Sequence, residues 1–162
     1  MHEIPVNSTA ELVRIGGFGT RYLARPEETG GAYALIEHTL SPGLIGAPPH
    51  RHTREDELSY VLTGTLTVWR DGVVSPFGPG SVVAKPRGEW HTFWNAGTEE
   101  LRFFEVVSPP GFVSYFRELA EIIPPEGPPE AEALGALASR YGLEFDFAAL
   151  ASLLEQHGLR LG

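Results

Sequence analysis

The sequence contains no cysteine, one methionine and no long apolar run. The absence of cysteine excludes disulfides, thiolate metal sites, iron–sulfur clusters and cysteine nucleophiles. No stretch approaches the ~20 consecutive apolar residues that a membrane-spanning helix requires. The first residues, MHEIPVNSTAELV, carry neither the basic nor the apolar part of a secretory leader. The sequence therefore predicts a cytoplasmic protein that makes no membrane contact.

Basic residues are also scarce, with 12 Lys and Arg against 21 Asp and Glu and a net charge of -9. An acidic surface repels phosphate backbones, so nucleic acid is not an expected partner. A chain of 162 residues corresponds to a single domain. A domain of that size buries roughly 70% of its unfolded surface, which is enough for a core without disulfides.

Glycine and proline are abundant, with 19 and 14 residues, and they separate short apolar runs. This punctuation is typical of many short strands joined by turns. Clear strand candidates are 32–40, 57–64, 81–85 and 101–107, and the dipeptide Asp71-Gly72 is a strong hairpin signal. We expect seven or eight strands between residues 32 and 107. Such a pattern favours a sandwich or barrel over a βαβ fold.

The spacing of apolar residues becomes helical after Pro110. It predicts a first helix within 112–123, a second that ends at Gly142, and a third from an N-cap at Asp146 to Gly158. We therefore divide the chain into an all-β unit, residues 1–110, and a helical extension, residues 111–162, packed on it.

The first motif with chemical meaning is His50-Arg51-His52, followed by Glu57. Residues i and i+2 of a strand share a face, so the two imidazoles point into one space. A turn over 53–56 brings Glu57 into the same space, and two imidazoles with a carboxylate form a three-point grip on a divalent metal. An H-x-H pair alone is more often a surface or packing feature than a metal site.

Glu55 and Asp56 are rival ligands within the same turn. We interpret both as solvated turn residues, because only Glu57 keeps a six-residue spacing to Gly64.

The second motif runs from Gly80 through Pro86 and Gly88 to His91 and Asn95. The glycines permit turns, Pro86 ends a strand, and His91 begins the next strand with a third imidazole. Asn95 is interpreted as a turn residue that ties down the following loop.

Together the motifs resemble those of the cupin superfamily, G-x5-H-x-H-x3,4-E-x6-G and G-x5-P-x-G-x2-H-x3-N. The second motif fits at every position, and the first fits from His50 to Gly64. This sequence departs from the first motif only at its leading glycine, because Gly46 lies too near His50 and Gly43 lies one residue too far from it. The strings HRHTREDELSYVLTG, PRGEWHTFWNAG and VVSPPGFVSYFRELAE, with the tail SRYGLEFD, are similar to single-domain bacterial cupins often compared with quercetin dioxygenases.

The resemblance implies an all-β, double-stranded β-helix (jelly-roll) cupin barrel followed by the C-terminal helical extension. It implies one divalent transition metal held by His50, His52, Glu57 and His91. These ligands do not distinguish Fe, Mn, Co, Ni, Cu and Zn.

Strand parity adds three candidates for a substrate pocket. Ser59 and Val61 follow Glu57 inward, and Phe93 shares the parity of His91. Of the remaining aromatic and imidazole residues, His38 and the tryptophans Trp69, Trp90 and Trp94 are more often core residues than site residues, and His2 receives no role.

Three functions remain open for a small-molecule ligand. The first is a metal-dependent dioxygenase of enolic, phenolic or diketone-like substrates, in which the resemblance to quercetinases implies that Glu57 also acts as general base. The second is a non-oxidative isomerase or hydrolase, which needs a further acid or base, with Glu37 or Glu105 as candidates. The third is a binding module without catalysis.

The outward positions Leu58, Tyr60 and Leu62 place apolar side chains on the exterior of a strand. The helical extension or a second subunit must cover them, and we expect a homodimer.

Overall fold

The structure is a computed structural model that describes residues 10–162. His2 lies outside the described residues. The strands, in chain order, are β1 (Leu12–Ile15), β2 (Phe18–Ala24), β3 (Ala34–Leu40), β4 (Leu44–Ile45), β5 (His50–His52), β6 (Asp56–Thr63), β7 (Leu66–Arg70), β8 (Val73–Phe77), β9 (Val82–Lys85), β10 (His91–Asn95), β11 (Leu101–Ser108), β12 (Leu143–Phe145) and β13 (Arg160–Leu161). The α-helices are α1 (Tyr115–Ile122), α2 (Ala131–Tyr141) and α3 (Phe147–His157), and short 3-10 helices cover Pro26–Thr29 and Pro110–Ser114.

The strands form two separate sheets. The first has the order β1-β2-β3-β11-β6-β9 and is antiparallel throughout. The second runs β12-β5-β10-β4-β13, and β7 joins β10 to β8 beside this path. The two sheets pack face to face without joining into one closed barrel, and the all-β prediction is confirmed.

The hydrophobic core is formed by the inward-facing residues of the central strands, which alternate with more exposed ones. On β11, Leu101, Phe103 and Val107 alternate inward and are fully buried, while the residues between them are more exposed. Ile36 and Leu40 do the same on the neighbouring β3. A period of two with β-branched and aromatic residues on one face is what packs two sheets together. Glu105 occupies the same inward row of β11 and is also buried.

The number of strands was underestimated, because nine strands lie within residues 34–108. The prediction missed β4, which has two residues, and gave no bounds for β8, the strand that follows the Asp71-Gly72 turn. β8 contains Pro76 and, among the described strands, pairs only with β7. Proline is confined to such edge positions because it has no N–H to donate to a ladder. The Asp71-Gly72 hairpin is confirmed, and both residues have positive φ, 46° and 89°.

The three predicted helices are present in the C-terminal extension. Gly142 ends α2 in the left-handed conformation with φ 66°, and Asp146 caps α3 by accepting a hydrogen bond from the Ala149 amide at 2.9 Å. Between these helices, β12 pairs with β5 and places Leu143 opposite His52 and Phe145 opposite His50. The extension therefore borders the strand that carries two of the three motif histidines. The division of the chain at residue 110 stays a prediction.

No helix within residues 10–162 combines the length and apolarity that crossing a membrane would require.

Candidate metal centre and adjoining cavity

Four side chains from the two sequence motifs converge between the sheets. His50, His52, Glu57 and His91 each offer one ligand atom, and these atoms all lie within 4.8 Å of one another. All four residues are buried. The structure therefore brings together every residue predicted to ligate a metal.

Strand geometry accounts for this convergence. His50 and His52 project inward from β5, and His91 on β10 is paired directly with His50. Glu57 is the second residue of β6, which follows the turn after β5. Side chains directly opposite each other in an antiparallel pair have Cβ atoms about 5 Å apart, close enough to share one ion.

Backbone carbonyls orient two of the imidazoles. The Nδ1 atom of His50 lies 2.8 Å from the Pro48 carbonyl oxygen, and that of His91 lies 3.1 Å from the Glu89 carbonyl oxygen. A histidine that donates one N–H to a carbonyl presents its other nitrogen as a ligand. In both residues the nitrogen left free for the cluster is Nε2.

The nitrogen atoms that face the cluster lack conventional partners. The Nε2 atoms of His52 and His91 are buried without a hydrogen bond among residues 10–162. They lie 3.2 and 3.3 Å from the two carboxylate oxygens of Glu57. Ligands about 2.1 Å from one ion are separated from their neighbours by roughly 3 Å in an octahedral site and roughly 3.4 Å in a tetrahedral one. The unpartnered imidazole nitrogens, and their distances from the Glu57 oxygens, fit a divalent metal ion. The cluster could therefore hold one.

The charges of this cluster are strongly coupled. Burial and the neighbouring His91 and His52 hold the pKa of His50 well below 6.5. Burial would also lower the pKa of His52, but the carboxylates of Glu57 and Glu55 outweigh it and raise that pKa to about 9. Burial would raise the pKa of Glu57, yet His52 and Lys85 hold it well below its ordinary value. Without metal, the centre therefore contains an ionised Glu57 beside a protonated His52.

The two acidic residues before Glu57 differ from each other. Asp56 is exposed and forms an ion pair with Arg87 at 2.7 Å, which lowers its pKa to about 2, as expected for a solvated turn. The interpretation of Glu55 as solvated is wrong, because it is only 4% exposed. One of its oxygens lies 3.5 Å from Nδ1 of His52, three residues earlier in the chain. Glu55 therefore lies beside His52, the imidazole of the three for which no backbone carbonyl within residues 10–162 is a hydrogen-bond partner.

A second buried cluster adjoins the four ligands, and the sequence analysis largely missed it. Lys85 Nζ lies 3.1 Å from Glu57 Oε2 and forms an ion pair with Glu105. Glu105 also accepts a hydrogen bond from Ser59 at 3.3 Å, and its other oxygen lies 3.4 Å from Nε2 of His38. Burial would lower the pKa of Lys85, but the two carboxylates raise it above its usual value.

A signal for two of these residues was present in the sequence. Lys85 is two residues after the inward Val83 on β9, and Glu105 is two residues from Phe103 and Val107 on β11. Period-two parity predicts that both charged side chains face inward. His38 lies on the buried row of β3, where its ring stacks on Phe18 at 4.7 Å, so it is both a core residue and part of this cluster.

A cavity of about 520 Å³ opens over both clusters. Its polar floor includes His50, Glu57, His38 and Glu105. Aromatic side chains dominate the walls, and they come from the sheets and from the helical extension: Phe18, Phe93, Phe112, Tyr115, Phe116, Phe145 and Phe147. Apolar residues from α1, α2 and the loop between them complete the enclosure.

The three pocket candidates occupy different positions. Phe93 lines the cavity. Ser59 and Val61 face inward as expected and have no exposed surface, but they are not among the residues that line the cavity. None of the three tryptophans contributes to its wall, and Trp94 packs against His157 with ring centres 4.8 Å apart.

Comparisons with known proteins agree with the fold described above. Residues 36–107 match the model of the cupin domain. A predicted oxalate decarboxylase from Thermotoga maritima is similar at 24% identity and a TM-score of 0.58, covering 65% of this chain and 98% of that one. KdgF from Halomonas sp. is similar at 20% identity and a TM-score of 0.56, covering 64% of this chain and 92% of that one.

The polyketide cyclase RemF from Streptomyces resistomycificus is similar at 26% identity and a TM-score of 0.57, covering 67% of this chain and 80% of that one. A search of curated proteins found no match. Residues 36–107 therefore match a cupin domain, and the predicted jelly-roll cupin fold is confirmed. The closer resemblance to quercetin dioxygenase-like proteins stays a prediction.

Proposed function

We propose that this protein is a metal-dependent enzyme that moves a proton on a small enolisable substrate without oxidising it, as an isomerase or cyclase does. We assign His50, His52, Glu57 and His91 as the metal ligands. A divalent ion at that position would supply Lewis-acid chemistry, making a proton next to a substrate carbonyl more acidic. The observation that carries the proposal is the second acid–base cluster, Glu105 with His38, on the floor of the same cavity.

Glu105 is better placed for this role than the alternative, Glu37. Glu105 lines the cavity, and its carboxylate is within 3.4 Å of the His38 imidazole. Glu37 lies on the opposite parity of β3 and pairs with Arg102 at 3.2 Å. In our proposal Glu105 accepts the substrate proton and His38 holds it before its return to a second substrate atom. The reaction is redox-neutral and needs no further reactant.

The cavity wall indicates the kind of molecule that binds. No lysine or arginine is among the described residues that line it, and most lining side chains are apolar or aromatic. A substrate that is neutral and apolar away from its oxygen-bearing end is therefore favoured over a phosphate or a small dicarboxylate. The similarity to RemF, which is named as a cyclase, also supports a non-oxidative reaction.

The test is proton exchange under anaerobic conditions. Metal-loaded protein is incubated in D2O with a panel of aryl-substituted β-diketones and β-ketoesters, and loss of the α-proton signal is followed by NMR. Glu105→Gln should slow the exchange by about 10²–10⁴-fold, the usual contribution of a general base. The matched control Glu37→Gln should leave the rate unchanged. Equal rates in wild type and Glu105→Gln would contradict the proposal.

A second candidate is the dioxygenase, acting on an enolic, phenolic or diketone-like substrate with Glu57 as general base. An apolar cavity directly above a four-ligand site favours it. Lys85 pairs with both Glu57 and Glu105, so this ion pair does not distinguish the two carboxylates as bases. Against the general-base role of Glu57, it is also assigned to the metal and has His52 and His91 at 3.2 and 3.3 Å. An oxygen electrode separates the candidates, because only the dioxygenase consumes O2 with flavonols, β-diketones or catechols. Binding without either reaction would favour a non-catalytic module.

We also propose a homodimer. Leu58 and Tyr60 are 40% and 42% exposed on the outer face of the first sheet, and Val82, paired with Tyr60, is 56% exposed. The helical extension leaves this patch uncovered, whereas a second copy of the chain would bury it. A monomeric mass by light scattering would contradict this proposal. The cytoplasmic location stays a prediction.

A further inference from the structure

Lys85 lies behind the metal centre and away from the cavity. It is the last residue of β9 and is paired directly with Glu57 of β6. Its Nζ atom is 3.1 Å from Glu57 and also binds Glu105, and the residue is only 2% exposed. Both carboxylates line the cavity, but Lys85 does not. A substrate in the cavity therefore meets the two carboxylates and does not reach the ammonium group.

Such a position has two electrostatic consequences. Buried carboxylates need compensating positive charge when no metal is bound. Lys85 supplies it to Glu105, and it shares Glu57 with the neighbouring His52. A divalent ion among the four ligands would place a second cation beside the same Glu57 carboxylate. Two like charges a few ångströms apart in a buried site repel strongly. Lys85, which stabilises the metal-free centre, must therefore lower the affinity of the four ligands for a divalent ion.

We propose that Lys85 is an internal counter-cation, which holds Glu57 and Glu105 in the metal-free protein and limits the affinity of the four-ligand site for a divalent ion. This inference rests on the metal site of the proposed function, but not on the reaction assigned to it. It makes Lys85 a positioning residue, which acts through Glu57 and Glu105 and does not touch the substrate.

The experiment measures metal affinity in a set of charge variants. Co²⁺ binding is followed by visible absorption, and Zn²⁺ binding by competition with a chromophoric chelator. Lys85→Met keeps the unbranched side chain as far as the Cε position and removes the charged ammonium group. It should bind either ion at least about tenfold more tightly than wild type. Glu105→Gln should bind at least about tenfold more weakly. The double variant should return to within about threefold of wild type.

Arg87→Met is the matched control. Arg87 is a cation two residues further along the chain, but it is exposed and pairs with Asp56 on the surface. Removal of its charge should change the affinity by less than about twofold, since exposed charges are screened by solvent.

Thermal unfolding of the metal-free variants provides a readout without metal. Lys85→Met should have the lowest melting temperature of the set, because it leaves Glu105 buried without its cation. Adding Glu105→Gln should recover part of the loss. A merely structural role for Lys85 would instead lower both the melting temperature and the metal affinity.

The outcomes separate this inference from the proposed function. If wild type binds ions and Lys85→Met binds them equally or more weakly, the counter-cation role is overturned while the metal site stands. If wild type binds neither ion, the metal site is wrong and the inference falls with it. Should Lys85→Met fail to fold, a double variant that binds more tightly than Glu105→Gln supports the inference, and one that binds no more tightly overturns it.

Discussion

Raising the pH of the metal-free protein from 6 to 9.5 should destabilise it, and the loss should trace to His52. The pKa of this imidazole rises from 6.5 to about 9 in the folded state, chiefly through the carboxylate of Glu57. A pKa that is higher in the folded state stabilises the fold fully below the unfolded pKa. That contribution is lost as the pH rises through the folded pKa. The window for His52 therefore runs from about pH 6.5 to about pH 9.

The size of the loss follows from the size of the shift. A rise of about 2.5 pH units at 1.36 kcal/mol per unit gives an upper limit of about 3 kcal/mol. For a domain of this length, 1 kcal/mol corresponds to about 2–4 °C in melting temperature, so the expected fall is about 6–12 °C. The pKa of Glu57 is lowered by the same contact with His52, but its effect on stability appears only below pH 4.5. It therefore adds nothing to the loss of stability between pH 6.5 and 9.

The assay is thermal unfolding by circular dichroism, with a chelator present, at half-unit steps of pH. His52→Gln should remove most of the slope between pH 6.5 and 9 relative to wild type. His157→Gln, a change to an exposed histidine at the end of α3, should keep the slope. The series stops at pH 9.5 because the raised pKa of Tyr22, about 12, introduces a separate loss above pH 10. Parallel curves for wild type and His52→Gln would refute the reasoning.

Three further predictions concern metal and packing. Zn²⁺ at about 100 times its dissociation constant should stabilise the fold by about 2.7 kcal/mol, and a chelator should reverse the rise in melting temperature; no shift would argue against the metal site. In Gly46→Ala the new Cβ atom would lie 2.3 Å from Phe93 Cε2, so the ring must move, and denaturant unfolding should report a loss of about 1–3 kcal/mol. Asp146→Ala removes the hydrogen bond to the Ala149 amide and should cost about 1 kcal/mol, whereas Asp146→Asn should cost far less.

The convergence of the four candidate metal ligands was predictable because it depends on short-range strand geometry. His50 and His52 need only a period-two strand to share a face, and Glu57 and His91 follow at spacings that a turn and a strand start can accommodate. The helix boundaries at Gly142 and Asp146 were predictable for the same reason, since each residue has a strong conformational preference of its own.

The second cluster was harder to predict because it contradicts an ordinary expectation. Charged side chains are seldom buried, so Lys85 is assigned to solvent unless strand parity is given more weight than charge. Glu105 was a candidate acid or base, but only as an alternative to Glu37. Each becomes acceptable inside the protein only because the other is there, and their separation in sequence gives no hint of the pairing. Glu55 was misplaced for a related reason, since only the folded turn brings it back to His52.

The ladder between β5 and β12 has a consequence for biosynthesis. Residues 50–52 form one side of it and residues 143–145 the other, so about ninety residues of chain must be synthesised between the two halves. Pairings so distant in sequence form late during folding. On the ribosome, the segment with His50 and His52 therefore lacks this neighbour until residues 143–145 have emerged.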